Sequence, residues 1–160
     1  IAINSTTNKI YVANANSVTV IDGATNGTTA VMTSSAYAIS LNPATNKIYV
    51  AETYNDNVTV IDGVTSATVS VGVGLRPVAI AINPVTNKIY VANQTSNDVT
   101  VFDGTTHAPF RIAAVNSPSA LAVNPDTNNI YVAQYGGNSV LVLDGAASST
   151  NTITGVRRPG

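Results

Sequence analysis

Apolar residues in this chain come in short, dense runs that polar residues separate at near-regular distances. From Val78 to Val115 the runs are Val78–Asn83, Lys88–Asn93, Asp98–Phe102 and Arg111–Val115. Between them lie Asn83-Pro84-Val85-Thr86-Asn87, then Asn93–Asn97, then a connection opened by Asp103-Gly104. Short β-branched runs at this spacing, with Asn, Pro, Gly and Thr between them, predict antiparallel strands joined by turns. No segment keeps a 3.6-residue apolar period over a useful length, so the chain reads as all-β.

The pattern is written four times. Ile-Tyr-Val triplets begin at Ile10, Ile48, Ile89 and Ile130, and Asp-Gly pairs fall at Asp22, Asp62, Asp103 and Asp144. A period near 40 with four strands per copy is the signature of a propeller blade or another repeat array. The second strand of each copy, such as Ile89-Tyr90-Val91-Ala92, is apolar on both faces. A sheet with one wet face would alternate instead, so each small sheet is expected between two neighbours. In the first strand Ile3, Leu41, Ile82 and Val123 alternate with Ala2, Ser40, Ala81 and Ala122. A bulky face opposite a small one suits the innermost strand, where blades taper towards an axis.

The fold expected is therefore a β-propeller of four four-stranded antiparallel blades, near residues 1–36, 37–77, 78–118 and 119–160. Four blades can form a closed ring or part of a seven- or eight-bladed one; a β-helix or solenoid is the alternative. An isolated open arc is disfavoured, because its end blades would expose apolar faces.

The segments Asn42-Pro43-Ala44-Thr45-Asn46-Lys47-Ile48-Tyr49-Val50-Ala51 and Asn83–Asn93 resemble the YVTN family of β-propeller repeats. That family is common in surface-layer and secreted proteins of archaea and bacteria. The resemblance runs through all four copies and implies the propeller fold. The family's name-giving Thr is Ala here, at Ala13, Ala51, Ala92 and Ala133, and the Asn after it is kept only at Asn14 and Asn93.

Composition narrows the function. Charged residues make up only 9% of the 160, against about 25% in a typical soluble protein. Net charge is −1 and the seven basic residues are scattered, which argues against nucleic acid or anionic membranes as partners. No apolar run reaches the 18 or so residues of a membrane-spanning helix. Cysteine is absent, which removes disulfides, thiolate metal sites and cysteine nucleophiles. Richness in Asn and Thr, low charge and four Asn-x-Ser/Thr sequons, at Asn4, Asn26, Asn57 and Asn93, lean towards an extracellular or cell-surface protein, with those four as candidate glycosylation sites.

Catalytic chemistry finds little material. His107 is the single histidine and reads as a solvated loop residue; nothing in its spacing supports a Ser-His-Asp arrangement. Cytochrome and copper enzymes use related propellers, but their ligands cannot be assembled from one histidine and no cysteine. The repeated Asp22, Asp62, Asp103 and Asp144 each precede Gly, a pair suited to a tight turn with positive φ. Lys9, Lys47 and Lys88 read as solvated turn lysines. Tyr11, Tyr49, Tyr90 and Tyr131 read as blade-to-blade packing with the hydroxyl at a polar rim. No catalytic residue, metal ligand or cofactor is assigned, and the chain reads as a non-enzyme.

Variable residues gather instead in the loops between second and third strands and between blades. They are Glu52, Tyr54, Asp56, Asp98 and Tyr135, with Arg76 and Arg157. Variable loops on a rigid scaffold are where binding tends to sit, so these seven form the candidate binding face. The expected role is a structural or interaction module, such as a subunit of a surface layer or of a filament of tandem propellers. Its partners would be other copies of itself or further repeats of a longer chain. The alternative is a carbohydrate-binding, small-ligand-binding or enzymatic propeller. The ends support continuation: Gly155-Val156-Arg157-Arg158-Pro159 repeats the lead-in Gly72–Pro77, and Ile1-Ala2-Ile3-Asn4 is what should follow it. The chain also opens at Ile1 rather than Met, as an excised segment of a longer array would.

Overall fold

The structure is a computed structural model that describes residues 1–112, 115–146 and 149–154. Its sixteen strands fall into four sheets. Blade 1 holds β1 (Ala2–Asn4), β2 (Lys9–Asn14), β3 (Ser17–Asp22) and β4 (Thr28–Met32). Blade 2 holds β5 (Ala36–Asn42), β6 (Lys47–Glu52), β7 (Asn57–Asp62) and β8 (Thr68–Gly72). Blade 3 holds β9 (Pro77–Asn83), β10 (Lys88–Asn93), β11 (Asp98–Asp103) and β12 (Pro109–Ile112). Blade 4 holds β13 (Pro118–Asn124), β14 (Asn129–Gln134), β15 (Ser139–Asp144) and β16 (Thr150–Thr154).

Within each blade consecutive strands pair antiparallel, as a four-stranded meander. This is propeller architecture, and it differs from the parallel coils of a β-helix. Strands β5, β9 and β13 begin at Ala36, Pro77 and Pro118, the last residue that the repeat cuts give to the preceding blade.

Each turn has its own chemistry. Asn8, Asn46, Asn87 and Asn128 adopt positive φ of 51–55° in the Thr-Asn turn, a conformation that Asn tolerates better than most residues. The Asp-Gly pairs work differently from the expectation. None of Gly23, Gly63, Gly104 and Gly145 has positive φ; a side chain at any of them would collide with the Asn of its own blade's turn. Each glycine N–H donates to that same residue's carbonyl, as in Gly63 to Asn46 at 2.9 Å. Glycine is required here by close approach. The preceding aspartate caps the loop: Asp62 Oδ1 accepts from the N–H groups of Val64 and Thr65, both at 2.8 Å.

The core lies between blades, in three clusters. Tyr11, Val18 and Val31 of blade 1 meet Ile48, Val50 and Ile61 of blade 2. Tyr49, Val58, Val60 and Val71 of blade 2 meet Ile89, Val91 and Phe102 of blade 3. Tyr90, Val99 and Val101 of blade 3 meet Ile130, Val132, Leu141 and Leu143 of blade 4. One rule covers all three: the face of a blade that carries the repeat tyrosine packs on the isoleucine-bearing face of the next.

A partly buried amide bond accompanies each contact. Asn4 Nδ2 donates to Asn46 Oδ1 at 2.8 Å, Asn42 to Asn87 at 2.9 Å, and Asn83 to Asn128 at 2.8 Å. The same donors' Oδ1 atoms cap their own turns, as Asn83 does for Val85 and Thr86.

Successive inner strands pack in order, β1 on β5, β5 on β9 and β9 on β13. Among the described residues no packing of comparable extent joins blade 4 to blade 1. The four blades thus form an open arc rather than a closed four-bladed ring, and Ile1 and Ile3 stand 79% and 65% exposed on its first face.

Candidate functional site

The expected binding face divides into residues that are enclosed in the loop scaffold and residues that stand exposed. Glu52 belongs to the first group. It is buried and accepts from the Ser34 N–H at 3.2 Å, the Thr59 hydroxyl at 2.7 Å and the Asn55 amide at 3.2 Å. Its carboxylate therefore ties the blade 1–2 linker to blade 2. Gln134 has the same task two interfaces on, between blades 3 and 4, accepting from the Asn116 N–H at 2.7 Å.

Asp98 is also buried. It accepts from Asn93 Nδ2 at 2.6 Å and sits 3.7 Å from Arg111 Nη1. Asp56 has φ of 54° and accepts from the Arg76 N–H at 2.8 Å, an Asx cap that Asn97 repeats for Ser117. Glu52, Asp56 and Asp98 thus act in loop structure and leave the candidate face. Among the described residues no group of three or more His, Asp or Glu side chains could hold a metal ion.

Tyr54, Arg76 and Tyr135 remain exposed, Tyr54 by 85%. Arg157 lies outside the described residues. Tyr54 and Arg76 line an open cavity of about 370 Å³ at the mouth of the arc, with Tyr37, Gln94 and Ser119 on its other sides. The Arg76 side chain makes no hydrogen bond or ion pair among the described residues.

Tyr37 is a site residue that the repeat pattern concealed. The β5–β6 register shifts between Ala36 and Ala38, so Tyr37 is the extra residue of a bulge. Val78 and Ser119 border the same kind of shift in β9 and β13, and both line the cavity. A bulge re-aims a side chain, here towards the cavity. The available signal was variability: five residues before the invariant Asn stand Tyr37, Val78 and Ser119, in a strand otherwise repeated almost word for word.

The sequons fare unevenly. Asn4 and Asn93 are buried with their amide nitrogens engaged, Asn93 on Asp98 and Thr100 at 2.6 and 2.8 Å. Neither can carry a glycan in the folded domain. Asn57 starts β7, half-buried, and Asn26 alone of the four is exposed.

The remaining repeated polar residues are structural. Lys47 pairs with Asp62 at 2.7 Å and Lys88 lies 3.6 Å from Asp103, so these lysines are partnered within their own blades. His107, half-buried rather than solvated, has φ of 56° at the loop position that Asn26 and Ser66 hold in other blades. The hydroxyls of Tyr11 and Tyr49 are buried rather than set at a polar rim, that of Tyr11 without a hydrogen-bond partner among the described residues. Burial, with the Asp103 carboxylate nearby, pushes the Tyr49 phenol up to about 12. Its ring packs on Phe102 at 6.1 Å, which rules it out as an exposed stacking platform.

No protein family matches the chain, and no curated protein does. Among solved structures, hydrazine synthase of Kuenenia stuttgartiensis is similar to it, with a TM-score of 0.72 and 25% identity. The likeness covers 78% of this chain and 37% of that one, so this chain spans little more than a third of that protein's length. What the likeness supports is the fold, a β-propeller assembled from four-stranded blades.

Proposed function

We propose that this chain is a non-catalytic interaction module of a secreted or cell-surface assembly, and that it works by presenting blade faces to further blades. One observation carries the reading: among the described residues blade 1 and blade 4 each keep one apolar face only half-buried, while the two middle blades bury both. Incompletely covered apolar faces on a rigid scaffold are characteristic of interaction surfaces. The repeated Asp, Asn and Lys residues act in turns, inter-blade bonds and ion pairs, as Asp62, Asn4 and Lys47 do. Low charge weakens self-repulsion between copies. The extracellular part of the reading rests on that composition and on the resemblance to YVTN repeats. Sedimentation across a wide concentration range tests it: mass should rise with concentration, and a chain that stays monomeric throughout contradicts the reading.

The cavity favours a second reading, a binder of acidic glycans. Arg76 offers an unpaired guanidinium suited to a carboxylate, and Tyr37 and Tyr54 offer exposed rings for a sugar face. A glycan array separates the two readings. Saturable binding of uronic or sialic acid glycans that Arg76→Ala abolishes would favour this one.

A further inference from the structure

The two uncovered faces are the two halves of one interface that the chain already displays three times. In each internal copy a tyrosine face meets an isoleucine face. Among the described residues no further blade covers the tyrosine face of blade 4: Tyr131, Val140 and Val142 are half-buried, whereas Tyr90, Val99 and Val101 are buried. Among the described residues no further blade covers the isoleucine face of blade 1: Ile10, Val12 and Ile21 are half-buried, whereas Ile89, Val91 and Phe102 are fully buried. The polar bond is divided in the same sense. Asn124 caps Asp126 and Thr127 through Oδ1, but its Nδ2 has no partner among the described residues, unlike that of Asn4, Asn42 or Asn83. Asn8, which corresponds to the acceptors Asn46, Asn87 and Asn128, is exposed and receives no such bond.

We propose that two copies of this chain close a single eight-bladed ring, the tyrosine face of blade 4 in each seated on the isoleucine face of blade 1 in the other. This rests on the interaction-module reading above and names its partner and geometry. The occupant is a second copy because the missing half of each contact is present, intact, at the other end of the same molecule. Direction is set by the bond: Asn124 Nδ2 would donate to the partner's Asn8 Oδ1, twice around the ring. Number follows from closure. Propellers typically close with about four to eight blades, and multiples of four in that range are four and eight. Four is not reached here, since among the described residues no packing comparable to that between successive blades joins blade 4 to blade 1. Eight leaves a two-fold dimer whose two contacts are identical and whose apolar faces are all covered.

The test uses the 160-residue chain and two charged variants on open sheet faces, Val12→Glu on blade 1 and Val142→Glu on blade 4. Circular dichroism confirms that each stays folded, as expected for half-buried residues on an uncovered side. Sedimentation velocity should show the parent chain as a dimer that does not grow further. Each variant alone should be monomeric, because every head-to-tail contact would include a charged face. Mixed, they should form a dimer again through the one contact that keeps both native faces. Asn124→Asp retains the Oδ1 cap but removes the donor, and should weaken the dimer on the order of tenfold or more. A parent chain monomeric at all concentrations overturns both this proposal and the reading beneath it. Growth past the dimer overturns the eight-bladed closure alone. A single variant that dimerises by itself, or an Asn124→Asp chain as tight as the parent, overturns the head-to-tail geometry and leaves the interaction reading standing.

Discussion

Blades 2 and 3 and blades 1 and 4 are written in nearly the same words, yet they differ in what those words accomplish. Strands β6 and β10 are buried on both faces, whereas β14 alternates buried with half-buried residues and β2 buries only Tyr11. Ile10 and Ile89 occupy the same repeat position with the same neighbours in sequence, and only Ile89 is fully buried. In a repeat array stability is a sum of unit terms and neighbour interfaces, so an identical residue has a different energy according to whether a neighbour is present. Middle blades have two interfaces each and end blades have one.

The sharpest way to break this comparison is substitution at equivalent positions. Ile89→Ala should cost ~2–5 kcal/mol by leaving a cavity between blades 2 and 3. Ile10→Ala, with no blade over it, should cost ~1 kcal/mol or less in dilute solution. Urea denaturation of both variants checks this, and similar losses would mean that blade 1 is covered.

A smaller effect separates the asparagines. Asn83→Ala removes a turn cap and a partly buried bond to blade 4, and leaves the Asn128 acceptor without that donor, for ~2 kcal/mol. Asn124→Ala removes only the cap, for ~1 kcal/mol or less. Thermal denaturation of the pair at low concentration should rank them in that order; equal shifts would remove the inter-blade bond from the account.

Acid should have the smallest and least selective effect. Lys47 and the N–H groups of Thr65 and Val64 hold the Asp62 carboxyl well below its usual range. Backbone N–H donors lower Asp22 and Asp103 in the same way. A carboxyl lowered on folding contributes stability above its unfolded value, near 4, and loses that contribution as pH falls through the folded value. The melting temperature should therefore be level from neutrality to about pH 4 and decline below it. Because these caps recur in end and middle blades alike, hydrogen exchange should remain slower in the middle blades than in the end blades in acid as at neutral pH; loss of that difference would assign the caps to one class of blade.

The repeat made much of this fold legible. The Ile-Tyr-Val runs marked the second strands, the Asp-Gly pairs the third connections, and the tyrosines the packing between blades. What remained hidden lies across blades. Sequence shows that Asn42 and Asn83 are equivalent, but not that each reaches the turn Asn of the following blade. The glycine after Asp62 suggested positive φ, whereas the chain needs it because Asn46 lies against it. Glu52 and Asp98 looked like exposed loop charges because a loop position does not reveal burial; both are enclosed by loop and linker groups. Tyr37 was concealed by a bulge, which breaks the two-residue alternation on which strand reading depends.

The central claim is that two blades are covered on both sides and two on one side, and native-state hydrogen exchange of the dilute chain tests it most directly. Amides of Ile48–Val50 and Ile89–Val91 should exchange slowest, those of Ile10–Val12 and Ser139–Val142 much faster, and raising the protein concentration should slow the second group towards the first. Uniform protection of all four blades at low concentration would contradict the account.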